Sequence, residues 1–318
     1  MVSIRAHNSE GSVIHLQYTP TLKQQRNIGV LAFCLSTVAV PIVTTSVMPE
    51  PLLAELKFLA NLDGPLVYIP SKGGGDSTEH VGNFAMQAVE IRDARQNMMS
   101  SQLDVEGFKL VSQVSAVDDF FDDAQVASVY HEEVRSLLSR ETGAKRVEIF
   151  DDTRRSASVE RQQATGIREP ADIVHNDYTA RSGVKRLRDH FADKPEEAEK
   201  LLQRRFAIIN VWRSIAGPVS NHPLVLCDAT TVGPDDLVSV ERRADERVGE
   251  LQVALHDTSQ RWYYYPDMQM NEALLIKTYD SETDGRTRFT IHSSCELPGA
   301  VSDEPARESI ETRCLVFY

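Results

Sequence analysis

Short runs of alternating or clustered apolar residues dominate the second half of the chain, where helical spacing is rare. Residues 251–257, 261–265, 273–279, 287–294 and 309–318 read as strands, with turn-forming stretches at 257–260 and 283–286. Ahead of them, 124–140 sets Val126, Val129, Val134, Leu137 and Leu138 on one side of a predicted helix. Asp122 or Asp123 can cap its start, and Gly143 follows its end. A charged helix over 195–205, with Glu196, Glu197 and Glu199 as a solvated face, leads into an apolar strand over 206–215. Consecutive strands with few helices between them predict a mainly β fold with flanking helices, a double-stranded β-helix of the jelly-roll, cupin-like kind. No repeat, low-complexity tract or linker divides the sequence. A single domain over 1–318 is expected, with a jelly-roll core and helices over 90–318 and a less regular, β-rich part over 1–90.

Two N-terminal stretches stand apart. Residues 28–48 carry no charge over 21 positions and follow Lys23 and Arg26, long enough on paper to cross a bilayer. Pro41 and the hydroxyls of Ser36, Thr37, Thr44, Thr45 and Ser46 dilute the run, and its Val and Thr content favours two buried strands broken at the proline. The loop at 71–76 has three glycines and Lys72 but neither P-loop spacing nor a following helix start, so it reads as a flexible turn.

Composition narrows the class. With 318 residues, 41% hydrophobic and 25% charged, the chain can bury a sizeable core like an ordinary globular protein. A net charge of −13 with no basic block argues against a nucleic-acid or anionic-membrane surface. Cys34, Cys227, Cys295 and Cys314 lack Cys-x-x-Cys spacing, so neither a zinc site nor a disulfide framework is indicated, and reduced thiols suit the cytoplasm. The expected partner is a small-molecule substrate, not nucleic acid or membrane, and a homodimer is compatible with the sequence.

The pattern with chemical content is His175-Asn176-Asp177, joined far along the chain by His292. Residues i and i+2 of a strand project to the same side, so His175 and Asp177 can converge on one ion. Two imidazoles and one carboxylate suit the facial triad that holds ferrous iron and leaves three positions open. His-x-Asp alone is a common pattern in a chain with nine histidines, and a core or surface His beside a solvated Asp competes with it. Arg307 and Ser309, two apart on a strand, can jointly hold a carboxylate through a guanidinium fork and a hydroxyl, unless Arg307 simply pairs with a surface Glu. Arg213 lies on an apolar strand and faces either the barrel or outward. Trp212 reads as packing, and Tyr263, Tyr264 and Tyr265 as sheet aromatics of which one or two can reach a pocket. Lys277 could face a cavity, with a solvent-facing lysine as the default; His256 is not counted as a ligand, and Cys295 reads as a small buried hydrophobe.

Six ordered segments carry a family resemblance: Val174-His-Asn-Asp-Tyr-Thr179, Ile209-Asn-Val-Trp-Arg-Ser-Ile-Ala-Gly-Pro-Val219, Pro305-Ala-Arg-Glu-Ser-Ile-Glu-Thr-Arg313, and the stretches 143–151, 223–228 and 261–266. From about residue 90 to the C-terminus the chain resembles the hydroxylase/desaturase family related to the cephamycin 7-alpha-methoxylation protein and to gibberellin-desaturase-like proteins. The resemblance implies an Fe(II)- and 2-oxoglutarate-dependent dioxygenase that uses O2. In it, His175, Asp177 and His292 would bind the iron, Arg307 and Ser309 the far carboxylate of 2-oxoglutarate, and Arg213 a carboxylate or the substrate. It further implies a small specialised metabolite that is hydroxylated, desaturated or oxidatively cyclised in a natural-product pathway. One departure is visible: where the family usually has an aromatic and an Asp-Pro after the distal His, this chain has Ser293-Ser-Cys-Glu-Leu-Pro298. Three other readings stay open at this stage. They are an iron oxidase independent of 2-oxoglutarate, a catalytically silent jelly-roll binding or accessory protein, and, ranked last, a zinc hydrolase on the same three ligands.

Overall fold

The computed structural model describes residues 2–7, 13–18, 50–98, 100–244, 247–299 and 306–318. Two compact units result, Met1–Ser46 and Val47–Tyr318. Within the first, Val2–His7 and Val13–Tyr18 pair as an antiparallel hairpin with Val2 opposite Tyr18. The uncharged 28–48 run lies outside the described residues. Among those described, no helix is long and apolar enough to cross a membrane.

The second unit is organised by the strand Phe206–Ser214, all nine of whose residues are buried. A strand covered on both faces has no polar side to show, which is why 206–212 reads as a nearly continuous apolar run. It sits at the centre of a five-stranded antiparallel sheet, between Glu272–Asp280 and Glu308–Phe317, with Phe108–Ser112 and Arg146–Ser156 at the edges. Ala207, Ile209 and Val211 on one face pack against Val134, Leu137 and Leu138 of a helix. On the other face, Trp212, Leu274 and Ile276 meet Leu226 and Tyr263 of a second sheet, and Tyr265 just beyond its strand. That second sheet has ten strands and includes Leu224–Cys227, His292–Ser294, His175–Asn176 and Arg247–Ala254 side by side. Two sheets closing face to face on a shared core form the double-stranded β-helix that the strand pattern predicts.

The covering helix matches its expected caps. The Asp122 carboxylate accepts from the Ala124 and Gln125 N–H groups, and Gly143 ends the element at φ 71°. One π turn, Val126–Tyr130, interrupts it before the regular His131–Thr142 segment. Other expectations change. The strand expected over 287–294 shrinks to His292–Ser294, because Thr290 spends its hydrogen bonds elsewhere: its hydroxyl donates to Lys277 O at 2.7 Å and its N–H to Asn176 Oδ1 at 3.3 Å. Lys277 is not the solvent-facing lysine taken as its default. It is fully buried, donating to Asp280 at 2.9 Å and also to Asp104. A buried ammonium is tolerated only when paired, and both partners lie off the strand face that the sequence pattern describes. The 71–76 loop clasps the 166–167 turn through Gly74 N–H to Ile167 O at 3.1 Å, and a Cβ on Gly73, at φ +87°, would stand 2.1 Å from Gly166 O. Gly73 therefore serves close backbone contact.

Candidate metal centre

His175 and His292 are direct partners across adjacent antiparallel strands. Side chains of such a pair leave the sheet side by side, and these two rings lie 4.6 Å apart between centroids. Asp177, two residues on, returns to the same side. Its Oδ1 is 3.8 Å from His175 Nε2, and one ligand atom from each of the three residues lies within 4.8 Å of the others. Ligand atoms bound about 2.1 Å from one ion are roughly 3 Å apart, so the set needs to contract by an ångström or so to grip a metal.

The surroundings fix which atoms are offered. His175 Nδ1 lies 2.9 Å from Ile173 O, and His292 Nδ1 lies 2.9 Å from Thr290 O. Each carbonyl takes the Nδ1–H, which leaves the Nε2 lone pair as the ligand. Burial, and then the neighbouring His292, lower the His175 pKa to about 4, so the ring is neutral, the metal-binding form. Asp177 Oδ2 accepts from Asn210 Nδ2 at 2.6 Å and Arg313 Nε at 3.3 Å, and Oδ1 is left facing the imidazoles. Burial pushes this carboxyl up, but Arg313, the two histidines and Asn210 together outweigh it and hold it well below the usual carboxylate range. Asn176 points the opposite way and pins the segment. Its Nδ2 reaches Tyr178 O, Gln252 Oε1 and Thr278 O, and its Oδ1 takes the Thr290 N–H. The residue between the two near ligands thus also anchors the peptide that orients His292.

Two cavities meet at this point. A narrow one of about 20 Å³ is lined by His175, His292, Trp212, Leu224, Arg307 and Glu311 together with Arg155 and Arg313. A wide cleft of about 690 Å³ opens on the Asp177 side, with Tyr68, Phe150, Tyr178 and Leu251 among its walls. His175, Arg155 and Arg313 belong to both.

The structure brings His175, Asp177, His292 and Arg307 to one place. Arg307 is 4% exposed, donates one Nη1–H to His222 O at 2.7 Å and lies over the Trp212 ring at 5.3 Å. Its Nε is buried with no hydrogen-bond partner among the described residues. Burial, reinforced by the like charge of Arg155, pulls its pKa down to about 9. A carboxylate would relieve both strains, so these residues fit a bound keto-diacid. Ser309 is buried on the same strand face as Glu311 and Arg313, opposite Ser214 and Arg155 on the flanking strands. Arg213 is not brought to the site. Its side chain leaves the other face of its strand, donates to Gln113 O at 2.5 Å and lies over the Phe120 and Tyr130 rings.

Asn210, Arg313, Arg155 and Glu311 are site residues that the sequence reading passed over. Asn210 and Arg313 are cross-strand partners, which is why both reach one Asp177 oxygen. A signal was available: Arg307, Ser309, Glu311 and Arg313 recur with period two, which puts four polar side chains on one face of this stretch. Trp212 packs in the core as expected and also walls the narrow cavity, whereas Tyr263, Tyr264 and Tyr265 pack in the sheet and line neither cavity.

Comparison with known proteins gives a consistent answer. A family described as an oxidoreductase/YMDC permease-like domain matches residues 56–317, extending the likeness upstream of residue 90. The hydroxylase/desaturase CTB9 of Cercospora beticola is 32% identical over 300 residues, covering 85% of this chain and 89% of that one. The Fe(II)/2-oxoglutarate-dependent dioxygenase nvfI of Aspergillus novofumigatus is 33% identical over 248 residues, covering 74% of this chain and 84% of that protein. A solved structure of the iron and alpha-ketoglutarate-dependent endoperoxidase NvfI superposes with a TM-score of 0.72 at 30% identity, covering 84% of this chain and 98% of that one.

Proposed function

The chain belongs to the hydroxylase/desaturase family of Fe(II)/2-oxoglutarate-dependent dioxygenases, and from that premise we propose that it oxidises a small specialised metabolite at the centre formed by His175, Asp177 and His292. It is an oxidoreductase whose cofactor and co-substrates are Fe(II), 2-oxoglutarate and O2. The observation that carries the site assignment is the meeting of three ligand atoms within 4.8 Å, each with its other polar atom already engaged. His175 Nε2, His292 Nε2 and Asp177 Oδ1 would hold the iron, and Arg307 with Ser309 the far carboxylate of 2-oxoglutarate. Bound iron and 2-oxoglutarate supply, with dioxygen, the oxidation of one C–H bond and yield succinate and carbon dioxide.

The protein's own share is positional. Arg313 and Asn210 lock the Asp177 carboxylate in one orientation, and Asn176 fixes the backbone on either side of it. The buried walls of the narrow cavity keep Arg307 desolvated, which strengthens its hold on an anion. The wide cleft aims the substrate, and ångström-scale placement there selects hydroxylation, desaturation or ring closure. We take residues 47–318 as the oxygenase unit. A cytoplasmic enzyme is in line with Cys227, Cys295 and Cys314 being free and buried.

Anaerobic loading tests the reading. The protein should take up one Fe(II) per chain and develop a visible absorption band on adding 2-oxoglutarate, then form succinate when air is admitted. Asp177→Ala should lose the iron, the band and the turnover together. A variant that keeps its iron and its activity would remove Asp177 from the ligand set.

A further inference from the structure

The wide cleft has a charge pattern that neither the iron nor 2-oxoglutarate accounts for. Its carboxylates are already engaged. Asp151 and Asp177 pair with Arg313, Asp189 with Lys185 at 2.6 Å, and Glu250 with Arg181 and with the Thr179 hydroxyl. Four of its five arginines are not. Among the described residues Arg155, Arg168, Arg186 and Arg242 make no ion pair, although all four line this one cleft. Arg155 gives one hydrogen bond to Glu169 O, and Arg186 lies over the Phe150 ring at 5.1 Å with its Nε unpartnered.

The clustering is built into the sheet. Arg155 and Arg168 face each other across a parallel bridge, and Arg242 is in register with Tyr68. The clasp of the 71–76 loop on Ile167 steadies the residue just before Arg168. Burial, and then the charges of Arg155, Arg242 and Arg313, disfavour the charged form of Arg168. On a chain of net charge −13, four guanidinium groups in one cleft without counter-ions among the described residues are a costly concentration of like charge. Guanidinium forks match the planar oxygens of a carboxylate or phosphate, and an anion would turn this repulsion into binding. Most of the remaining walls are apolar or aromatic, among them Tyr68, Phe150, Tyr178, Val248 and Leu251.

We propose that the substrate of this enzyme carries an oxyanion, a carboxylate or a phosphate, on an otherwise apolar skeleton, with Arg168 and Arg242 as the residues that recognise it. This deepens the oxygenase reading and rests on it for the word substrate, while the anion site itself is independently measurable. Arg168 and Arg242 line the wide cleft and not the narrow cavity, so they are separable from the hold on 2-oxoglutarate.

The test uses the full chain loaded with Mn(II) and 2-oxoglutarate, which occupies the centre without turnover. Three fluorescent probes share one apolar body: 4-(1-pyrenyl)butyrate, its methyl ester, and the phosphate monoester of 4-(1-pyrenyl)butanol. At least one anionic probe should bind tenfold or more tighter than the neutral ester, and the tighter of the two names the oxyanion. Arg168→Met and Arg242→Met should each lose most of that preference, and the double variant all of it. The Fe(II)·2-oxoglutarate absorption band should appear at the same 2-oxoglutarate concentration in every variant, which also reports that each is folded. Equal binding of acid and ester, no binding of either anion at 1 mM, or a preference that survives the double variant overturns the proposal. So does a raised 2-oxoglutarate requirement in either single variant, which would assign these arginines to the co-substrate. Absence of the iron band in the unaltered protein would instead sink the oxygenase reading, and the charge preference would still be scored on its own.

Discussion

The narrow cavity beside His292 and the wide cleft beside Asp177 share three side chains yet are built in opposite ways. The narrow one draws Trp212, Arg307 and Glu311 from the core of two packed sheets, all at least nine-tenths buried. The wide one borrows its walls from the Ala180–His190 helix, strand ends and half-buried charges. A site set in sheet interiors is rigid and dry, so it suits a co-substrate that never varies. A site walled by a helix face and strand ends can change residues without disturbing the core, so it suits a substrate that differs from one relative to the next. The shared residues His175, Arg155 and Arg313 are where the two functions must be reconciled.

The sharpest way to break this division is Arg307→Ala. If the narrow cavity alone holds 2-oxoglutarate, loss of a buried charge-assisted pairing worth about 1.5–3 kcal/mol should raise the 2-oxoglutarate concentration for half-maximal activity roughly tenfold to a hundredfold. The half-saturating substrate concentration should stay within about twofold in the same assays. A variant in which both constants rise together would mean that the two cavities act as one.

How far the sequence could reach follows the same line. Period-two spacing placed His175 and Asp177 on one side, and the amphipathic 124–140 segment with its Asp122 cap and Gly143 end emerged nearly as expected, because local pattern decides both. The meeting of His175 with His292 depends on strand register across the second sheet, and no local pattern encodes register. Lys277 departs from its sequence expectation for the same reason, since Asp104, one of the carboxylates that make its burial tolerable, stands far from it in sequence. Alternation along 206–214 split Asn210 and Trp212 from Val211 and Arg213. It could not say which face the Val134–Leu138 helix would cover, and that covering is what turned Arg213 away from the site.

A second test acts on the shared wall itself. The His175 pKa of about 4 lies below the ordinary imidazole value of 6.5, so the unfolded chain takes up this proton at a higher pH than the folded one does. The associated stability is fully present above pH 6.5 and is lost as the pH falls towards 4. The metal-free protein should therefore lose about 2 kcal/mol between pH 7 and pH 5, read from denaturant midpoints at the two pH values. Asp177, with its carboxyl held below the usual range, weakens the fold only at still lower pH. In His175→Gln that slope should flatten. If it does not, the loss comes from groups outside the shared wall and the two cavities are not coupled through this imidazole.

The smallest expected effect is also the cleanest contrast with Arg307. Arg213 shares the features that made it a candidate: a buried guanidinium, 1% exposed, on the central strand beside Trp212. Its charge instead faces the helix side, where it gives one hydrogen bond to Gln113 O and stacks over Phe120 and Tyr130, with Nε and Nη1 unpartnered among the described residues. Methionine fills a similar volume among those rings and removes a poorly satisfied charge, so Arg213→Met should leave stability nearly unchanged or slightly improved. The 2-oxoglutarate requirement and the iron·2-oxoglutarate absorption band should match the unaltered protein within about twofold, against the tenfold or greater change in Arg307→Ala. A large rise in the 2-oxoglutarate requirement in Arg213→Met would mean that the outer face of the central strand reaches the co-substrate through the sheet, and the separation of the two cavities would no longer describe how this enzyme works.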